Sequence, residues 1–182
     1  RQELVHEIEE KVNAEVAAGE LERLNMPWSA FLPAQIIENG AYQWIDDVRM
    51  LVHSGIRAEI RLPGEDGPLV LDLATPAGRH EAVRTIHQLC RYVPDAVRHS
   101  RLAALYEAYP ADLLVDLRGR FRSFAPMTWL QARQLRSAGV DIGSHGLTHT
   151  ALAPQPPGTI EHEVRCAREL LRMRIGDHGP HF

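Results

Sequence analysis

The chain is predicted to be an α/β protein, and three observations lead there. Residues 128–144 read as a capped helix, a glycine stop and a short alternating strand in direct succession. Residues 56–73 alternate apolar and charged positions on either side of a Pro-Gly-rich turn, which is the pattern of a β-hairpin. Several further segments place apolar residues at helical spacing. A length of 182 residues suits one domain with a sizeable core, or most of a larger one.

Taken in order, Arg1 to Arg23 is a charged, helix-like lead segment with apolar Leu4, Val5, Ile8, Val12 and Val16. In Tyr42 to Leu51, the residues Trp44, Ile45, Val48 and Leu51 form one apolar helical face. Asp46 and Asp47 interrupt that face and are read as solvated helix residues, since charges are mostly exposed. Ile56 to Leu62 and Leu69 to Leu73 alternate about the turn Pro63-Gly64-Glu65-Asp66-Gly67-Pro68. Thr75-Pro76 then opens a helix, threonine as cap and proline in the first turn, running to about Tyr92 before Pro94. A further helix covers about Asp95 to Tyr109, with Val97, Leu102 and Leu105 turned inward. Arg118 to Arg122 is read as a solvated loop in preference to a glycan or phosphate contact.

The most informative stretch comes next. Thr128-Trp129-Leu130-Gln131 has the form of a capping box, in which the threonine hydroxyl accepts from a first-turn amide and Gln131 reaches back. Gly139 suits the left-handed position that ends a helix. Val140 and Ile142 alternate with Asp141 as a short strand, which Gly143-Ser144 breaks. His145 and His149 follow, four residues apart, just beyond the strand's carboxyl end. Imidazole is a common ligand for zinc and similar metals, and α/β sheets and barrels place their chemistry at that end. The bare spacing is weak evidence in a chain with ten histidines; the context strengthens it. Pro154, Pro156 and Pro157 exclude a continuing helix, so the pair is expected on a loop. Thr159 is then expected to cap a helix reaching about Ile175.

Those residues resemble the polysaccharide deacetylases, the NodB-homology family of carbohydrate esterases. Met127-Thr128-Trp129, Ala138 to His145 and Thr148-His149-Thr150-Ala151-Leu152 are similar to that family's second block. The similarity continues through Glu163 and Ala167 to Leu171 as far as Ile175-Gly176. Leu24 to Leu32 looks like its second strand, and Tyr42–Leu51 with Leu71–Arg79 is similar to an insertion in bacterial members. The resemblance implies a partial, distorted β/α barrel across residues 1–182. Within it, 1–23 is a helical lead, 52–126 a hairpin-plus-helices insertion and 127–176 the metal-histidine block. It also implies a divalent metal, most commonly Zn2+, with His145 and His149 falling on the two histidine ligands.

By the same resemblance the expected reaction is hydrolytic removal of an acetyl group from an N-acetylated glycan. The family's aspartate ligand and aspartate base sit in a strand-end Asp-Asp block that has no counterpart before Leu24. Asp46 and Asp47 are not carried into those roles, because they lie in a helical pattern. The expectation is therefore a part of a larger domain that is inactive alone. The alternative is a degenerate carbohydrate-binding module that keeps the fold without catalysis. A further alternative makes the histidine pair a structural feature of an unrelated α/β protein.

The rest of the sequence sets bounds. A formal charge of −4 gives no reason to expect nucleic acid or an anionic membrane as partner. No apolar run approaches a membrane span, and no signal peptide reads at the charged start. Cys90 and Cys166 sit in helix-like apolar surroundings and are read as buried free thiols rather than a disulfide. Trp129 is read as a buried helix-start residue in preference to a sugar-stacking ring. His53, His80, His87, His99 and His162 are read as surface histidines, as are His178 and His181 near the Gly-Pro terminus.

Overall fold

A computed structural model describes residues 18–64 and 67–176. Most of the lead segment and the two terminal histidines, His178 and His181, lie outside the described residues. The described chain is mixed α/β. Its elements, in order, are α1 (Ala18–Arg23), β1 (Ser29–Leu32), α2 (Ala34–Asn39), α3 (Trp44–His53), β2 (Glu59–Leu62), β3 (Leu69–Asp72) and α4 (Pro76–Arg91). They continue with α5 (Asp95–Glu107), α6 (Leu113–Arg120), α7 (Trp129–Ser137), β4 (Asp141–Ser144) and α8 (Pro157–Ile175). Two compact units emerge. One takes the described residues up to Tyr42, Ser123–Thr150 and those from Pro156 onward; the other takes Gln43–Arg122 and Ala151–Gln155.

The first unit is built on a parallel pair. β1 and β4 run side by side with Ala30 opposite Ile142 and Leu32 opposite Ser144. Strand side chains alternate between faces, so Ala30 and Leu32 are buried while Ser29 and Phe31 are exposed. The core gathers Leu32, Ile37, Met127, Ala132, Leu135, Ile142, Leu147, Ala167 and Leu171 from β1, α2, α7, β4 and α8. Helix α7 begins as its sequence requires. Thr128 accepts from the Gln131 amide at 3.3 Å while the Gln131 side chain accepts from the Thr128 amide at 2.8 Å. Gly139 takes a left-handed φ of 89°, which a Cβ would oppose, and turns the chain into β4.

The second unit pairs β2 with β3 in its own antiparallel sheet, Ile60 opposite Leu71. α4 is capped by Thr75, whose hydroxyl accepts from the Gly78 amide at 2.9 Å, with proline in the first turn. α3 packs against both α4 and α6. It buries Ile45, Val48, Met50, Leu51 and Val52, and with them Asp46 and Asp47.

Several expectations are corrected here. Asp46 and Asp47 are not solvated: they are 4% and 3% exposed, because α3 is covered on more than its apolar face. Arg118 to Arg122 is not a solvated loop throughout. Arg118 belongs to α6, half-buried, and donates to Asp47 through Nε at 2.9 Å and Nη2 at 2.5 Å. Val97 faces outward, since Leu102, Leu105 and Arg98 occupy the buried side of α5. Thr159 does not cap α8, which starts two residues earlier at Pro157. Both cysteines are free, as expected, but only Cys90 is buried; Cys166 is half-buried beside His162, Sγ to Nδ1 3.4 Å. Among the described residues no helix is long and apolar enough to cross a membrane.

Candidate metal centre

Because β1 and β4 are parallel, their carboxyl ends lie together, and the histidine loop leaves from that end. The ladder is extended one step beyond β4, since the His145 amide donates to the Leu32 carbonyl at 2.9 Å. The loop then satisfies the start of α2. Ala34 and Gln35 donate their amides to the Gly146 and Leu147 carbonyls at 3.1 and 2.8 Å. First-turn amides of a helix have no partner within it, and Pro33, which precedes α2, offers no side-chain cap. The loop serves as that cap.

A third restraint comes from α8. The Glu163 side chain is buried, 3% exposed, and its Oε2 accepts from the Leu147 amide at 2.9 Å and the Thr148 amide at 3.0 Å. Its Oε1 accepts from the Thr148 hydroxyl at 2.7 Å. Hydrogen bonds to a charged group contribute roughly 1.5–3 kcal/mol each; the one to Leu147 is buried and the two to Thr148 are partly buried. Gly146 has a φ of 80°, and a Cβ there would lie 3.2 Å from Glu163 Oε2. A side chain there would be strained by the positive φ and would push that oxygen back by a few tenths of an ångström.

The result is a pair of neighbouring rings. The His145 and His149 rings have centroids 4.7 Å apart and planes tilted by 45°. His145 is exposed and His149 half-buried. His149 holds a left-handed backbone, φ 60°, which is uncommon for a residue other than glycine or asparagine. Such a conformation costs on the order of 1–3 kcal/mol and persists where neighbouring structure over-determines it. The loop is therefore held in a conformation it would not choose alone.

Imidazole is a common metal ligand, and these are the two imidazoles that the loop brings together. Catalytic zinc usually takes three protein ligands and keeps one position for water. Among the described residues no group of three or more His, Cys, Asp or Glu side chains comes together. Asp46 and Asp47 belong to the second unit and are committed there to Arg49 and Arg118. Trp129 is half-buried, with its Nε1 donating to Glu38 Oε2 at 2.7 Å, and Glu38 is also gripped by Arg174. Trp129 is thus tied into the first unit. The remaining described histidines fall outside the loop: His53 and His80 meet edge to face at 6.1 Å, and His87 stacks on Trp44 at 5.8 Å.

The structure brings His145 and His149 together on one loop, and what holds that loop was not directly legible in the sequence. Glu163 entered only as part of a resemblance, although it is the buried charge nearest the loop in function. Its signal was present in the spacing: Glu163 stands four and eight residues before Ala167 and Leu171, on the buried face of α8, whereas Glu161 and Glu169 lie off that face. Comparison with family models, with curated proteins and with solved structures gives no match for this chain.

Proposed function

We propose that His145 and His149 are two ligands of a zinc-type metal centre in a hydrolase of the polysaccharide deacetylase kind, built on a partial NodB-like barrel. The observation behind this reading is the pair itself: two rings 4.7 Å apart at the carboxyl end of parallel strands, on a loop restrained from three sides. When bound, the ion supplies Lewis acidity to an amide carbonyl and activates water for its hydrolysis. The chain's own part is to hold the two imidazoles side by side on a restrained loop. The third ligand and the proton-transfer groups come from residues other than those described, and the substrate is an N-acetylated glycan.

Counting ligands sets the expected outcome. With two donors in place of three among the described residues, zinc should bind weakly, because even changes outside the ligand shell cost about 10- to 100-fold in affinity. Calorimetric zinc titration of the 182-residue chain should show weak uptake that His145→Ala and His149→Ala each abolish. N-acetylglucosamine oligomers should yield no acetate with this chain alone. Zinc uptake indifferent to both substitutions would remove the basis of the metal reading. Tight stoichiometric zinc with acetate release would instead mean that a carboxylate such as Asp141 completes the site.

A further inference from the structure

We infer that Glu163 is the positioning residue of the His145–His149 pair, an assignment that rests on the metal-centre reading above and deepens it. Each of its three hydrogen bonds ends on Leu147 or Thr148, residues that lie between the two histidines. A carboxylate is suited to this task because it only accepts, and all three groups facing it are donors. A glutamine side chain in the same place turns an amide NH2 toward at least one of them.

The backbone explains why such a clamp is needed. Gly146 and His149 both have positive φ, 80° and 60°, so the Leu147-Thr148 step is flanked on each side by left-handed backbone. Glycine adopts that conformation freely, but histidine does not. Fixing the amides of Leu147 and Thr148 leaves His149 little choice of entry direction, and the His145 amide is already tied to Leu32. Glu163 thereby sets the direction of both rings while touching no reacting atom. It reaches the loop from α8, whose Ala167 and Leu171 are fully buried in the same core. The carboxylate is therefore anchored to the rigid part of the unit and not to another loop.

The test separates positioning from simple stability. Zinc affinity by calorimetry and the visible spectrum of the Co2+-loaded protein would be compared for wild type, Glu163→Gln, Glu163→Asp and Thr148→Val. Amide exchange at residues 145–149 would be followed in the metal-free protein. Glu163→Gln should weaken zinc about 10- to 100-fold, alter the Co2+ bands and speed exchange at Leu147 and Thr148, with an unchanged far-ultraviolet circular dichroism spectrum. Glu163→Asp, which keeps the carboxylate, should recover part of the affinity. Should Glu163→Gln not fold, Thr148→Val removes one of the three bonds and should weaken zinc several-fold by itself. A folded variant that is less stable yet binds zinc and colours cobalt as the wild type does would overturn the positioning role. Failure of the wild type to bind zinc would instead overturn the metal reading on which it rests.

Discussion

Asp46 and Asp47 are adjacent in sequence and equally buried, yet they meet different partners. Asp47 accepts two bonds from Arg118, seventy-one positions away, whereas Asp46 has a single 3.1 Å contact with Arg49. Burial, and then the neighbouring Asp47 charge, push the Asp46 carboxyl up to about 7, and the Arg49 contact does not reverse it. The folded chain thus keeps that proton to about pH 7, while an unfolded aspartate releases it near pH 4. Between those values the folded state binds more protons, so its stability is greatest at the acid end and falls as pH rises through 7. The slope from this one group is at most about 1.4 kcal/mol per pH unit. Asp46→Asn should flatten the dependence of melting temperature on pH between 4 and 7 and raise stability at pH 8. A pH profile identical to wild type would show that Asp46 ionises as an ordinary carboxylate. No sequence pattern announced this, because a residue's solvation is decided by what packs against its helix.

Elements were most legible where their ends are local. Thr128 and Gln131 are three residues apart and need nothing distant to form a capping box, and the structure has both of its bonds. Thr75 caps α4 by the same rule. Thr128→Ala should lower stability by about 1 kcal/mol, the usual worth of such a cap, as measured by urea denaturation; a change under a few tenths would mean that packing alone holds α7. α8 begins two residues before the expected Thr159 cap, because Pro157 both bars a preceding helix and opens the next one. Proline is also favoured in a helix's first turn, where its missing amide costs nothing, and Pro157 is the first residue of α8. On α5, Val97 and Leu102 have equal claim to the inside by hydropathy. The helix turns Arg98 inward instead, where it pairs with Asp95 at 2.6 Å.

On the scale of the molecule, stability in the first unit depends on one core shared by a parallel strand pair and three helices. Leu171 is fully buried there, beside Ala167 and the residues of β4. Leu171→Ala should cost about 2–5 kcal/mol, the removed methyl groups plus the cavity they leave. Against a total of about 5–15 kcal/mol for a typical domain, that is a large fraction, visible as a lower denaturation midpoint. A loss under 1 kcal/mol would mean that α8 packs loosely, and Glu163 would then lack a firm base. The second unit has its own hairpin and its own buried set, from Ile45 and Leu51 to Ile86 and Leu105. Its hairpin was legible from period-two alternation about a Pro-Gly turn, because a single turn sets that register.

The sequence by itself determined the α/β class, the hairpin, the capped helices and the loop that carries His145 and His149. Each follows from contacts within a few residues: a cap, a turn, a glycine at positive φ, an alternating face. Tertiary structure alone decided that β1 and β4 are parallel neighbours, that Asp46 and Asp47 are buried, and that Glu163 reaches the loop from α8. These facts join residues tens of positions apart, and a side chain's hydropathy says how it prefers to be solvated, not which neighbours arrive to desolvate it.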